Sequence, residues 1–203
     1  MSQNPADYLS LPLERFLSDV ASRRPSPGGG SVAAAAGALS AALACMVLEY
    51  TAGKKRHAEH AERLGALLEE LKRARGLFAQ LIREDVAAYE RYAAARASPD
   101  PAEPARALAT AVAVPMEIAA VAEAVGRRLD EVKSFVSPAL YSDVQAAGIL
   151  AHAAAESAGC TAGGNLAALP DRAEAGRLEQ QLAAILSRSQ AHRDAVLAFR
   201  PSS

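Results

Sequence analysis

The chain has 203 residues, a length that suits one domain, and carries 22 basic against 23 acidic residues, for a net charge of -1. A near-neutral chain argues against a nucleic-acid partner, because neutralising a phosphate backbone takes concentrated positive charge. Hydrophobic residues make up 51% and aromatic residues only 4%, Trp is absent, and Ala fills about a quarter of the positions. That composition belongs to helices rather than strands.

In chain order, the first helix is expected over residues 7–22, where Leu9, Leu13, Phe16, Leu17 and Val20 recur at three- and four-residue steps and Pro12 suits a first turn. Pro25-Ser26-Pro27 and Gly28-Gly29-Gly30 then interrupt any helix. A second helix is expected from Ser31 to about Thr51. It is apolar nearly all round, which places it at the centre of a bundle. Val32 to Leu48 is an uncharged run of 17 residues, close to a membrane span in length. It is mostly Ala, however, and lacks the Leu, Ile and Phe density that drives insertion, so it reads as a core helix with no membrane partner. Gly53 and Lys54-Lys55-Arg56 close it.

The third helix is expected over residues 58–97 and a fourth over 104–136, separated by Ser98-Pro99-Asp100-Pro101. Pro115 lies inside the fourth and predicts a kink. After Ser137-Pro138 a fifth helix is expected over 139–157, then a small-residue loop over 159–165. Asp171 N-caps a last helix reaching Phe199. The expected fold is all-α: a bundle of about six helices with a central Ala/Gly-rich helix, one domain over residues 1–203, and homodimeric, because one copy has few large side chains with which to cover the second helix. Met1 to Pro5 shows no signal-peptide pattern, and Cys45 and Cys160 have neither zinc nor disulfide spacing. A reducing cytoplasm is the expected location.

Four groups of residues bear on chemistry. Asp85 sits on the apolar stripe of the third helix, in step with Phe78, Ile82, Tyr89 and Tyr92. A carboxylate there is either a structural ion-pair partner or a site group that binds a polar ligand or moves a proton. Tyr89, one turn on, shares its face. Gly28-Gly29-Gly30-Ser31 is either a flexible linker with an N-cap or a backbone cradle for an anion at a helix start. It is neither a Walker A nor a GxGxxG motif. Lys54-Lys55-Arg56 either complements a helix carboxyl end or holds an anionic substrate. Asp143 and Asn165 fit an early-helix acid and a turn cap as readily as site residues. His57, His60, His152 and His192 lack metal spacing, so no metal site is expected.

Taken together, Pro25-Ser26-Pro27-Gly28-Gly29-Gly30-Ser31, Thr51-Ala52-Gly53-Lys54-Lys55, and Glu84-Asp85 with Tyr89 resemble the cyclodeaminase/cyclohydrolase family of folate enzymes. Val114-Pro115-Met116-Glu117 and Ser142-Asp143 with Ala146-Ala147 add to the resemblance, which covers nearly the whole chain. His57, Ser137-Pro138-Ala139 and Thr161 to Gly164 depart from the family pattern. The resemblance implies a tetrahydrofolate derivative as substrate and no prosthetic group. The reaction would be hydrolysis of 5,10-methenyltetrahydrofolate to 10-formyltetrahydrofolate, with formimidoyltetrahydrofolate cyclodeamination, a lyase reaction, as the alternative. A non-catalytic helical module that binds folate or another helix is the reading from another class. In the enzyme readings Asp85, Lys54 and Asp143 would be catalytic. Gly28, Gly29, Gly30, Ser31, Lys55, Arg56, Tyr89 and Asn165 would bind substrate.

Overall fold

A computed structural model describes residues 7–200, in which helix is the only regular structure. The six α-helices are α1 (Leu13–Val20), α2 (Gly29–Ala52), α3 (Ala61–Ala95), α4 (Glu103–Val132), α5 (Tyr141–Leu166) and α6 (Arg172–Ala198). Short 3₁₀ turns at Lys55–His60 and Pro138–Leu140 precede α3 and α5. Successive helices from α2 to α6 run antiparallel. Ser31 of α2 meets Asp85 of α3 while Gly37 meets Phe78. Along α5, Thr161 meets Gly29 and the Ala147 carbonyl meets Ser40.

The core is built from small residues where helices cross. Ala33, Ala34, Ala41 and Ala44 of α2 are buried, as are Ala147, Ala151, Ala154, Ala158 and Ala162 of α5. With no bulk between them the two backbones approach closely, and the Ser40 hydroxyl donates to the Ala147 carbonyl at 2.7 Å. Leu64, Leu67, Leu71, Phe78 and Leu81 of α3 supply the volume that Ala lacks. A Cβ on Gly37 would lie 2.4 Å from the Phe78 ring, so only glycine fits there. α2 is therefore central, but it shares the centre with α5, which packs against α2, α4 and α6.

Several boundaries differ from expectation. The first helix is shorter than expected: Pro12 is its N-cap rather than part of its first turn. Proline disfavours helical geometry at the preceding Leu11, and the chain before it forms a turn closed by Ser10 N–H on the Asp7 carbonyl. α2 starts at Gly29, two residues early, and α4 stops at Val132. The largest difference is in α5, where the expected loop at 159–165 is helix. A Cβ on Gly159 would come within 3.0 Å of Leu186 of α6, and Ala158, Ala162 and Leu166 are buried, so packing overrides the low helix propensity of these glycines. α2 and α4 are long and apolar enough to cross a membrane, but more than half of each apolar window is buried against other helices.

Two glycines should respond oppositely to alanine. Gly37→Ala should destabilise the fold by about 1–3 kcal/mol by overpacking against Phe78. Gly65→Ala, where an added Cβ meets nothing within 4 Å, should stabilise it by about 0.5–1 kcal/mol. Urea unfolding of the two variants checks both signs.

Candidate active site

Asp85 faces inward from α3 onto the amino end of α2. Its Oδ2 accepts a 2.6 Å hydrogen bond from the Ser31 hydroxyl, and the Ser31 backbone N–H also donates to the carboxylate. Ser31 itself is fully buried. A Cβ on Gly30 would lie 2.0 Å from Asp85 Oδ1, so the carboxylate can settle onto the helix end only because residue 30 is glycine. No lysine, arginine or histidine among the described residues pairs with Asp85, so the structural ion-pair reading does not hold. Burial pushes the Asp85 carboxyl above its ordinary value, and the two hydrogen bonds from Ser31 oppose that rise. The positive end of α2 is thus met by the protein's own carboxylate, which leaves Gly28 to Ser31 a poor cradle for a phosphate.

The opposite side of the pocket depends on Pro115. Proline has no N–H, so the carbonyl four residues earlier, on Ala111, loses its helical partner. Asn165 Nδ2 donates to that carbonyl at 2.6 Å. A carbonyl can only accept, so this bond fixes the amide's orientation and turns Asn165 Oδ1, an acceptor, elsewhere. Asn165 and Thr161 are one turn apart on α5, a placement that follows from the helix continuing where a loop was expected. Thr161 Oγ1 would lie 3.1 Å from a Cβ on Gly29. Between these walls is a cavity of about 260 Å³, lined by Gly28, Gly29, Gly30, Asp85, Thr161 and Asn165, with Tyr89 and Tyr92 of α3 along one edge. Gly28, Gly29, Gly30, Asp85, Tyr89 and Asn165 therefore converge on this cavity, whereas Ser31, expected to bind substrate, is fully buried and meets only the Asp85 carboxylate behind it. Thr161, Tyr92 and Ala111 were not singled out from sequence. The signal for Ala111 was its position four residues before a mid-helix proline.

The other expected residues lie elsewhere. Lys54, Lys55 and Arg56 follow the far end of α2, which has 24 residues and so spans about 36 Å. Asp143 is in the first turn of α5, 18 residues before Thr161, or about 27 Å along that helix. Lys54, Lys55, Arg56 and Asp143 thus occupy the opposite end of the same protomer from Asp85. There Arg56, His57, Ser137 and Pro138 line a second cavity of about 360 Å³. Two of the departures from the family pattern, at His57 and Ser137-Pro138, share this cavity. Among the described residues no three His, Cys, Asp or Glu side chains converge in a way that would hold a metal ion.

Comparison with known proteins supplies a frame for this geometry. The profile of the family described as Formiminotransferase-cyclodeaminase matches residues 12–184. A protein named methenyltetrahydrofolate cyclohydrolase from Methylorubrum extorquens is 33% identical over 184 residues, covering 86% of this chain and 88% of that protein. The formimidoyltransferase-cyclodeaminase of Sus scrofa is 33% identical over 148 residues, covering 68% of this chain but 27% of the larger protein. The crystal structure of a formiminotetrahydrofolate cyclodeaminase from Thermotoga maritima superposes with a TM-score of 0.88 at 28% identity, covering 93% of this chain and 95% of that one.

The link between Pro115 and Asn165 can be measured. Asn165→Ala should cost about 1–3 kcal/mol by leaving the Ala111 carbonyl unpaired. Pro115→Ala restores a backbone N–H to that carbonyl, so in its background the Asn165→Ala cost should shrink by about 1 kcal/mol or more. A double-mutant cycle in denaturant reads the coupling, and strict additivity would show that the two residues act independently.

Proposed function

The chain belongs to the formiminotransferase-cyclodeaminase family, and from that premise we propose that it hydrolyses 5,10-methenyltetrahydrofolate to 10-formyltetrahydrofolate. The observation that carries this reading is Asp85: a partly buried carboxylate with no cation beside it, facing a cavity edged by two tyrosines. The methenyl bridge is a cation shared between two nitrogens, so an unpaired carboxylate is its electrostatic complement. Tyr89 and Tyr92 offer aromatic faces for the flat rings of the substrate.

In this mechanism water adds to the methenyl carbon and Asp85 accepts one of its protons, giving a neutral tetrahedral carbon between N5 and N10. The bond to N5 then breaks as the carbonyl forms. Asp85 returns its proton to N5, and the hydroxyl proton leaves to solvent. Asn165 Oδ1 accepts a hydrogen bond from the attacking water or the folate ring, and the α2 amino end holds Asp85 in position. No step requires a metal or prosthetic group. The same reading takes the folate as the small-molecule partner and the cytoplasm as the location, with no nucleic acid or membrane involved. It takes a homodimer as the working form.

A second reading is supported by the Thermotoga likeness. That protein matches this chain almost end to end and is named as a cyclodeaminase. In cyclodeamination N10 attacks the formimidoyl carbon, and the ammonia that leaves must take up a proton. Asp85 would act there as the acid. The two reactions share the tetrahedral carbon and the same pocket.

Purified protein should discharge the absorbance of methenyltetrahydrofolate faster than buffer alone. Faster turnover of 5-formimidoyltetrahydrofolate, with ammonia release, would favour the second reading. Asp85→Asn should lower kcat by about 10²- to 10⁴-fold, and unchanged turnover in that variant would defeat the assignment. A base works only when ionised, so the rate should fall as pH drops through the Asp85 pKa. That acid limb should lie above the ordinary aspartate value of 3.8.

A further inference from the structure

The cavity at Asp85, of about 260 Å³, is smaller than the ~300–1,000 Å³ of pockets that enclose a drug-sized ligand. It has room for the reacting end of a folate, and the rest of the molecule must leave along the edge that Tyr89 and Tyr92 form. That edge is one face of α3. Asp85, Tyr89, Tyr92 and Arg96 follow one another at steps of four, three and four, which at 3.6 residues per turn keeps all four within about 60° of arc. Arg96 is the C-cap of α3 and keeps helical backbone angles, φ -63° and ψ -22°, so it continues the face rather than turning off it.

Arg96 is exposed, and its guanidinium makes no hydrogen bond or ion pair with any described residue. Other arginines at this end of the bundle are engaged: Arg24 with Asp19, Arg106 with Asp100 and Glu103, and Arg172 with Glu179 and the Leu166 carbonyl. A cation at the carboxyl end of α3 complements the helix dipole, but it would do so equally from any face. Only the face of Asp85 sets it in line with the pocket. We propose that Arg96 is a substrate-binding residue that holds the glutamate carboxylates of the folate, with the benzoyl ring lying between on Tyr89 and Tyr92. The proposal rests on reading the Asp85 pocket as the reaction site.

The lengths agree. Asp85 and Arg96 are separated by about 16 Å of helix rise. Helix side chains lean toward the amino end, so the long arginine side chain reaches back several ångströms toward Tyr92. In the substrate a benzoyl ring, an amide and one Cα separate N10 from the first tail carboxylate, roughly 10 Å at ordinary bond lengths. The ligand also suits the residue. A planar guanidinium takes a carboxylate through two parallel hydrogen bonds and cannot lose its charge. Within one chain Lys55 and Arg56 stand a helix length away from this pocket, whereas Arg96 is in line with it.

A chemical cycle tests this. 5-Formyltetrahydrofolate, a stable folate, is titrated by calorimetry into the wild-type protein and Arg96→Ala, as the free acid and as the dimethyl ester of its tail. The free acid should bind Arg96→Ala about three- to five-fold more weakly, and less so at high salt. The ester, with no tail charge to hold, should bind both proteins alike. Equal binding of the free acid to both proteins, or an equal loss for acid and ester, overturns the proposal. In turnover, Arg96→Ala should raise KM by a similar factor and leave kcat nearly constant, because the tail is remote from the reacting carbon. Arg96→Lys should recover part of the loss, since it keeps the charge but not the fork. Arg91→Ala removes an exposed arginine about 120° round the helix from Asp85 and should change neither constant. A wild-type protein that turns over neither folate, yet binds the free acid through Arg96, would defeat the proposed function and keep the tail site. A wild-type protein that binds no folate would defeat both.

Discussion

The pocket depends on one contact, the Asp85 carboxylate against the amino end of α2 above Gly30 and Ser31. It ties α3 to the amino end of α2 through a polar group set in the apolar stripe. It also determines what residue 30 can be, since any Cβ would occupy the position of the Oδ1 oxygen. The helix end and the Ser31 hydroxyl favour the charged form, and burial disfavours it. Burial wins, so the folded-state pKa lies above the unfolded one. The linkage follows directly: protonated Asp85 favours the fold at acid pH, and that contribution is lost as pH rises through the folded pKa. At neutral pH the ionised carboxylate is a stability cost.

Asn165 illustrates the reverse relation, in which a structural defect positions a functional group. Proline in the middle of α4 removes one backbone donor, and the carbonyl of Ala111 is left facing the pocket. An amide is a suitable partner because one end can satisfy the carbonyl while the other remains an acceptor. Pro115 therefore orients Asn165, and through it the acceptor side of the pocket, without touching a substrate.

Much of the fold was legible because apolar periodicity and Pro-Gly punctuation mark helices clearly. The six elements, the central place of α2 and the inward face of Asp85 all followed from residue spacing. Two things were hidden for physical reasons. Glycines at 159, 163 and 164 suggested a loop, yet only the α6 side chains against Gly159 and the buried Ala158, Ala162 and Leu166 decide that α5 continues. With that loop went the shared face of Thr161 and Asn165. The separation of Lys54 from Asp85 was also hidden, although simple arithmetic on helix rise contains it. Motif blocks that share a resemblance invite the assumption that they share a site. Residues at the two ends of an unbroken 24-residue helix cannot meet within one chain.

The uniform apolarity of α2 conceals an asymmetry of size. Toward the core it places Ala33, Ala34, Gly37, Ala41 and Ala44, which allow α3 and α5 to approach its backbone. Away from the core it places Val32, Leu39, Leu43, Met46 and Tyr50. A helix needing only to be buried within its own bundle would turn its large side chains inward, where they gain about 1.5–3 kcal/mol each on full burial. α2 follows that rule only in its second half, where Val47 and Leu48 are fully buried, while Val32, Leu39 and Tyr50 stay exposed. Hydropathy alone cannot distinguish these faces, because alanine and leucine both count as apolar. Side-chain volume does: alanine and glycine fill the close crossings with α3 and α5, and larger side chains stand where no such crossing occurs.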